Sequence, residues 1–216
     1  MKAFIFDLDG VIVDTAKYHF LAWKRIGEKV GFSLTNEQNE SLKGISRTES
    51  LERILGWAEV RFSKEEKEAL LIEKNKDYLQ QIEGMGQEEI LPGVLDLLDF
   101  AQKNKVPVSL GSASKNATRI LKKLAIDHLF DAIVDGNSVT ASKPNPEVFL
   151  KGAELLQQEP NNCIVFEDAA AGIQAAKAAG MISIGMGGTE EVKTADHCFT
   201  KMTEVTKEFI TTIQAP

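Results

Sequence analysis

The sequence predicts an α/β fold in which a doubly wound parallel sheet forms the core and an all-helical cap is inserted after the first strand. Residues 2–6 form a predicted strand, in which the uninterrupted apolar run after Lys2 is typical of a parallel strand covered on both faces. After residue 93, short apolar runs alternate with helical patterns, as in repeated strand and helix units. Between these two regions the pattern is helical throughout. We therefore assign residues 1–15 and 88–216 to the core and residues 16–87 to the cap.

The individual elements follow from the spacing of apolar residues along the chain. The cap contains no convincing strand, and its predicted helices span 18–30, about 36–42, 47–55 and 63–81. In the core, the predicted helices span 94–104, 116–124, 146–156 and 170–179, and the strands that alternate with them span 106–110, 132–134, 163–166 and 182–185. Asn145 before Pro146 predicts a helix start, and Gly180 predicts the end of an alanine-rich helix.

The composition is that of an ordinary globular chain and narrows the range of partners. Of 216 residues, 43% are hydrophobic and 26% are charged, and the formal net charge is -7. This charge argues against a general nucleic-acid or anionic-membrane surface, so an anionic substrate must be held by local groups. No stretch reaches the ~20 apolar residues that span a bilayer, and no signal sequence is recognisable. We expect a cytoplasmic monomer in which Cys163 and Cys198 are reduced core thiols.

Two carboxylates stand where the first predicted strand ends. Asp7 and Asp9 are two residues apart, so in an extended chain their side chains point the same way and can converge on one reacting centre. Two acids this close need a cation, or a proton on one of them, to relieve their repulsion. Asp9 and Gly10 could instead form an ordinary turn. A calcium-binding loop is disfavoured, because apolar residues 11–13 follow where further oxygen ligands are required.

The other predicted core strands are also followed by polar residues. Ser112 opens a short loop before a helix, where hydroxyl and backbone N–H groups suit an anion. Lys143 is kept extended by the next proline, and Glu167 and Asp168 follow a later strand. Each alone could be a helix cap, a solvated lysine or acids at a helix start. Together at one sheet edge they predict a site for phosphate and a hard cation, and oxygen-only ligands favour Mg²⁺ over Zn²⁺.

These motifs span the chain from the first strand to the fourth core strand and resemble those of the haloacid dehalogenase (HAD) superfamily of phosphotransferases, whose core is Rossmann-like. The resemblance implies that Asp7 is the nucleophile and Asp9 the general acid/base. It also implies that Ser112 binds the transferring phosphate and that Lys143 neutralises its charge. Dehalogenases of the superfamily lack the second acid and the metal, so carbon–halogen chemistry is not expected. The implied Mg²⁺ ligands are Asp7, the backbone carbonyl of Asp9, Glu167 and Asp168.

The cap sequence bears on whether the chain is a mutase or a phosphatase. Both reactions share an aspartyl-phosphate, but a mutase must also hold a second phosphate and the sugar hydroxyls. The cap resembles the β-phosphoglucomutase branch of the superfamily, in which Arg47 would clamp the non-transferring phosphate bidentately. Alone, Lys43 and Arg47 could be solvated charges and His19 a packed residue. The substrate-binding residues that this resemblance implies are Thr15, His19, Lys43, Gly44, Arg47, Ser50, Lys74, Ala113, Ser114, Lys115 and Asn116.

The reaction implied by this resemblance is the interconversion of β-D-glucose 1-phosphate and D-glucose 6-phosphate through an aspartyl-phosphate. Mg²⁺ would be the cofactor, and β-glucose 1,6-bisphosphate would be both intermediate and activator. The cap would open to let the bisphosphate turn and close to exclude water. A magnesium-dependent sugar-phosphate phosphatase on the same scaffold is the first alternative. A catalytically inactive module that binds phosphate and Mg²⁺ is the second, disfavoured because every proposed catalytic group is present.

Overall fold

A computed structural model describes residues 1–214, so the last two residues of the predicted core lie outside the described chain. The strands are β1 (Ala3–Phe6), β2 (Val108–Gly111), β3 (Ala132–Val134), β4 (Cys163–Glu167), β5 (Ile182–Met186) and β6 (His197–Phe199). All pair in parallel and form one sheet in the order β3-β2-β1-β4-β5-β6. The predicted α/β fold with a doubly wound parallel sheet is confirmed.

Helices connect the strands, and the first four of them lie between β1 and the rest of the sheet in chain order. The helices are α1 (Ala16–Lys29), α2 (Asn36–Glu40), α3 (Arg47–Trp57), α4 (Lys64–Gln81), α5 (Val94–Lys103), α6 (Ala117–Lys123), α7 (Glu147–Leu155), α8 (Ala170–Ala178) and α9 (Lys207–Ile213). We call α1–α4 the cap helices; α1, α3 and α4 share an apolar cluster that includes Trp23, Ile54 and Leu70. The division of the chain at residues 15 and 88 stays a prediction. Within residues 1–214, no helix combines the length and apolarity needed to cross a membrane.

Strand β1 lies in the interior of the sheet, between β2 and β4, and all four of its residues are buried. Phe6 stacks on Phe166 of β4 with ring centroids 4.6 Å apart, and Phe4 meets the same ring edge-on. Burial on both faces explains why the run has no alternation of polar and apolar residues. Because the strands are parallel, β1, β2 and β4 all end at one edge of the sheet, where their following loops share a crevice.

Neither β6 nor α9 is predicted from the sequence. β6 has three residues, lies at the edge of the sheet and is partly exposed, so it lacks the apolar run that marks the inner strands. Cys198 in β6 is exposed, so the expectation of a core thiol is wrong there, because an edge strand leaves part of its surface open to solvent. Cys163 in β4 is buried as expected, and both cysteines are free.

Candidate active site

The loop after β1 carries Asp7 and Asp9 and meets the end of β4. The Asp7 amide donates to the carbonyl of Phe166 (2.9 Å), which continues the β1–β4 pairing by one residue. Gly10 then turns the chain with φ +79°, in the left-handed region that glycine adopts without steric cost. A Cβ at Gly10 would lie 2.0 Å from Oδ2 of Asp168. Glycine at this position therefore allows the acids of the two strand ends to come together.

Lys143 is fully buried and joins two of the acids. Its Nζ lies 2.6 Å from Oδ1 of Asp7 and 2.7 Å from Oε2 of Glu167, and 4.6 Å from the centre of the Phe149 ring. Burial alone would lower the pKa of Lys143, but the two carboxylates outweigh burial and raise this pKa above its usual value. Lys143 is therefore a permanent cation beneath the acids.

Asp7, Glu167 and Asp168 form an oxygen-rich cluster. One carboxylate oxygen from each lies within 4.8 Å of the other two. Burial, together with the charges of Glu167 and Asp7, raises the pKa of Asp168 well above its usual value. Burial also raises the pKa of Glu167, although Lys143 opposes this shift. Acids that are crowded in this way favour a bound cation, and an all-oxygen donor set fits Mg²⁺.

The loop after β2 has a shape suited to an anion. Ser112 is buried, and its Oγ accepts from the amide of Ser114 (3.1 Å), whose own Oγ accepts from the amide of Asn116 (3.2 Å). Gly136, in the loop after β3, supports it from the side: a Cβ there would lie 2.3 Å from the carbonyl oxygen of Ala113. These bonds brace the backbone and hold the hydroxyl of Ser112 at the end of β2, where its hydrogen can be donated to a phosphate.

Asp9 is contacted by hydrogen-bonding groups at the start of the cap. The hydroxyl of Thr15 donates to Oδ1 of Asp9, and Nε2 of His19 lies 3.9 Å from the same oxygen. Burial, with the nearby charge of Asp7, raises the pKa of Asp9 to about 6. A carboxyl group in this state can release and recover a proton near neutral pH.

Burial and the neighbouring Lys74 of α4 together set the protonation state of His19. Its Nζ lies 2.9 Å from Nδ1 of His19 and within 5 Å of the ring centres of Trp23 and Tyr78. Burial, with the positive charge of Lys74, lowers the pKa of His19 well below its usual value, so the ring is neutral. A protonated Lys74 can only donate to Nδ1, and in that state the ring proton resides on Nε2, which lies 3.9 Å from Oδ1 of Asp9.

Arg47, the first residue of α3, is a partly buried cation with no acidic partner. Within residues 1–214, the Arg47 guanidinium has neither a hydrogen bond nor an ion pair. Burial lowers the pKa of Arg47, but a guanidinium stays charged at any physiological pH. The side chain is therefore available to bind an anion with its two parallel N–H donors.

Lys43 and Gly44, which precede α3, bring the cap to the metal side of the crevice. Lys43 Nζ lies 2.7 Å from Glu40 in the cap and 4.0 Å from Oδ2 of Asp168 in the core. A Cβ at Gly44 would lie 2.9 Å from the Cβ of Ala169. The cap and the core are thus in direct contact beside the acidic cluster.

One cavity between the cap helices and the sheet edge brings most of the predicted site residues together. The predicted residues that line it are Asp7, Asp9, His19, Lys43, Gly44, Arg47, Ser50, Lys74, Ala113, Ser114, Lys115 and Asp168. The others lie just behind this wall: Thr15 is bonded to Asp9, Asn116 donates to Asn75 of α4 (2.9 Å), and Ser112, Lys143 and Glu167 are buried beneath it.

The cavity also has lining residues that are not among the predicted site residues. They are Gly10, Ala16, Trp23, Asn39, Leu42 and Ile45. Trp23, Leu42 and Ile45 also belong to the apolar cluster of the cap, so their apolar character indicates packing and gives no sign of ligand contact. Asn75 does not line this cavity: it contacts Asn116 of the loop after β2 (2.9 Å) and directly follows Lys74, a predicted site residue.

Comparisons with known proteins bear on this geometry. A family model described as haloacid dehalogenase-like hydrolase matches residues 1–180. The β-phosphoglucomutase of Bacillus subtilis is 45% identical over 212 residues, which are 97% of this chain and 94% of that protein. A phosphorylated carbohydrates phosphatase of Thermotoga maritima is 31% identical over 183 residues, which are 84% of this chain and 82% of that protein.

The fold comparison agrees with the sequence comparison. The crystal structure of a β-phosphoglucomutase from Clostridium difficile superimposes with a TM-score of 0.94 and 45% identity, covering 98% of this chain and 96% of that one. The chain therefore resembles two β-phosphoglucomutases at 45% identity and a phosphorylated carbohydrates phosphatase at 31% identity.

Proposed function

Because this chain belongs to the haloacid dehalogenase-like hydrolase family, as its motifs predict, we propose that it is a β-phosphoglucomutase, an isomerase that interconverts β-D-glucose 1-phosphate and D-glucose 6-phosphate. The 45% identity to a mutase over nearly the whole chain supports this reaction. The reaction would pass through a phosphate ester of Asp7, with β-glucose 1,6-bisphosphate as intermediate and activator. The expectation of a cytoplasmic monomer stays a prediction.

The observation that supports the proposal is that two groups of residues suited to anions lie in or directly beneath one cavity. Asp7 has the buried cation Lys143 and the loop of Ser112 beside it, which suits a phosphoryl group in transfer. Arg47 lines the same cavity with Lys115 and lacks any acidic partner within residues 1–214. A phosphatase needs only the first site, whereas a mutase must hold a sugar with phosphates at two positions.

Asp7 would be the nucleophile. Lys143 holds its Oδ1, so Oδ2 is the oxygen offered to phosphorus. The Oδ2–phosphorus bond forms while the bond from phosphorus to the sugar oxygen breaks. A carboxylate suffices because phosphoryl transfer has a loose transition state, which requires positioning and charge neutralisation more than nucleophilic strength. Lys143 supplies positive charge without losing its proton.

Asp9 would move the proton. Protonated Asp9 donates to the leaving sugar oxygen, and the resulting carboxylate then accepts a proton from the hydroxyl that attacks the phosphoryl group. A pKa of about 6 suits both halves of this cycle. The neutral ring of His19 contributes an N–H close to Oδ1 of Asp9 without competing for the proton, and Thr15 orients the same oxygen.

Mg²⁺ would be held by carboxylates of Asp7 and Asp168 and the backbone carbonyl of Asp9, with Glu167 in support. The fit is supported by the oxygen-only cluster and by the raised pKa of Asp168. When bound, the ion neutralises charge on the phosphoryl oxygens.

A sugar-phosphate phosphatase is the second candidate, and the 31% identity to a phosphorylated carbohydrates phosphatase favours it. The two enzymes would share the acids and Lys143. They differ in whether a sugar hydroxyl or water accepts the phosphoryl group.

The deciding experiment supplies the protein and Mg²⁺ with β-D-glucose 1-phosphate, with and without the bisphosphate. Glucose 6-phosphate is measured by a coupled dehydrogenase and inorganic phosphate in parallel. We expect isomerisation that the bisphosphate stimulates. Phosphate release without isomerisation would establish the phosphatase instead, and neither product would favour a binding module. Asp7→Asn should abolish both activities, whereas Asp14→Asn, an exposed acid in the same loop, should not.

A further inference from the structure

A hydrogen bond joins helix α3 of the cap to the loop that carries Lys143, and neither of its partners is proposed to touch the substrate. The hydroxyl of Ser142, in the loop between β3 and α7, donates to Oε2 of Glu49 in α3 (3.1 Å). A second bond, from Asn116 to Asn75 (2.9 Å), also connects the two parts but starts from a residue of the phosphate loop. Only the first of these two contacts can be removed without altering a proposed binding residue.

Contacts within the cap orient the Glu49 carboxylate for this hydrogen bond. Arg53, one helical turn later, holds the other carboxylate oxygen: its Nη2 lies 2.9 Å from Oε1 of Glu49. Nη1 of Arg53 donates in turn to the carbonyl of Ser41 (2.8 Å). Each oxygen of Glu49 therefore has its own partner, and the carboxylate is oriented toward the core before the cap meets it. Such preorganisation lowers the entropy cost of the contact.

Ser142 directly precedes Lys143, so a bond that holds Ser142 also restrains the backbone that carries the buried cation of the active site. The same loop is held from the core side by Glu147, which accepts from the amides of Thr140 (3.0 Å) and Ala141 (2.7 Å). The Glu147 bonds lie within the core and do not depend on the cap. The Glu49 bond exists only while the cap contacts the core, so it couples the cap position to the loop that carries the buried cation.

We propose that Glu49 is a positioning residue that latches the cap onto the Lys143 loop through Ser142 and so determines how the phosphate ester of Asp7 divides between sugar and water. This inference rests on the proposed function. A closed cap keeps water from the ester, and each opening exposes the ester to hydrolysis. Loss of the latch therefore increases phosphate release relative to isomerisation.

The test uses Glu49→Ala, Ser142→Ala and the double variant, with Glu52→Ala as the matched control. Glu52 lies in the same helix, but its carboxylate contacts Lys67 within the cap (2.8 Å). For each protein, the phosphate released per isomerisation event is measured with β-D-glucose 1-phosphate and the bisphosphate. We expect this ratio to rise about three- to tenfold in each single variant, as for loss of one partly exposed hydrogen bond to a charged group. The double variant should rise no further, and Glu52→Ala should match wild type.

Glu49→Gln keeps an oxygen for Ser142 and should restore most of the wild-type ratio. A general loss of stability would not produce this pattern, since it lowers both products together. A ratio within twofold of wild type in both single variants, or effects that multiply in the double variant, would overturn the proposal.

A second measurement separates failure of the latch from failure of the proposed function. Hydrogen exchange of the amides in residues 139–145 is followed in substrate-free protein, which requires no activity. We expect faster exchange in Glu49→Ala and Ser142→Ala than in wild type and Glu52→Ala. If wild type does not isomerise, the proposed function fails while this comparison still decides the contact. Equal exchange in all four proteins would refute the latch itself.

Discussion

Replacement of Arg47 by alanine should remove isomerisation while leaving the chemistry at Asp7 in place. The guanidinium is partly buried, lines the cavity and lacks an acidic partner within residues 1–214. Its removal therefore leaves no buried carboxylate without a partner. We expect the free energy of unfolding to stay within ~0.5 kcal/mol of wild type.

The loss of activity follows from the bonds that the guanidinium could make. Two parallel hydrogen bonds to a phosphate should contribute ~2–4 kcal/mol to binding the transition state. This corresponds to a decrease in kcat/KM for isomerisation of about 30- to 1000-fold. Arg47→Lys keeps the charge but loses the planar fork, so it should fall between these limits and wild type.

The assay pairs isomerisation of β-D-glucose 1-phosphate with hydrolysis of p-nitrophenyl phosphate, which carries no second phosphate. Arg47→Ala should lose the first activity and keep the second within about twofold, because only the first substrate passes through a bisphosphate. Arg25→Ala is the matched control: Arg25 is a cap arginine whose largely exposed side chain pairs with Asp77 (3.4 Å).

Two results would refute this reasoning. Isomerisation by Arg47→Ala within threefold of wild type would mean that the guanidinium does not hold the second phosphate. A parallel loss of both activities would mean that Arg47 supports the chemistry at Asp7 or the fold of the cap.

Three further substitutions test other parts of the site. Lys74→Met should flatten the pH dependence of unfolding by urea between pH 7 and 10. The pKa of Lys74 is about 7 in the folded protein and 10.5 in the unfolded chain, so the unfolded chain binds an extra proton in this window. The free energy of unfolding of wild type therefore rises with pH. An equal rise in the variant would contradict the lowered pKa of Lys74. Gly10→Ala should weaken Mg²⁺ binding about tenfold by calorimetry, because its Cβ displaces Asp168, whereas Gly31→Ala, with similar φ and open space, should not. Lys143→Met should cost ~3–5 kcal/mol of stability by leaving buried acids unpaired, and added Mg²⁺ should recover part of it; unchanged stability without Mg²⁺ would contradict the paired arrangement.

The core part of the site could be predicted because parallel strands bring distant residues to one edge. Asp7, Ser112 and Asp168 each follow a strand by one residue, and β1 lies between β2 and β4, so their proximity follows from the topology alone. Lys143 is different, since it lies nine residues after β3. A lysine at this place suggests a phosphate partner. Its burial between two acids, however, depends on the course of the loop after β3, which no pattern in the sequence predicts.

The cap part of the site could be predicted only from the resemblance. Lys74 is one of several charged residues in α4, and nothing in that helical pattern distinguishes a buried lysine from a solvated one. Its burial depends on the rings of Trp23 and Tyr78, which come from two helices. The bond between Glu49 and Ser142 joins residues 93 positions apart, and both residue types are ordinary at a surface.

The physical difference between the two candidate reactions lies in the cap. The acids and Lys143 would serve a phosphatase equally well. The groups around Asp7 therefore do not explain why a sugar hydroxyl, and not water, would accept the phosphoryl group. That retention requires a cap that approaches closely enough to exclude water. Small residues permit this approach where Gly44 meets Ala169, at a distance that leaves no room for a Cβ on Gly44. Because a closed cap must also release the bisphosphate to turn, contacts such as the single bond from Ser142 to Glu49 should be weak enough to break in every cycle.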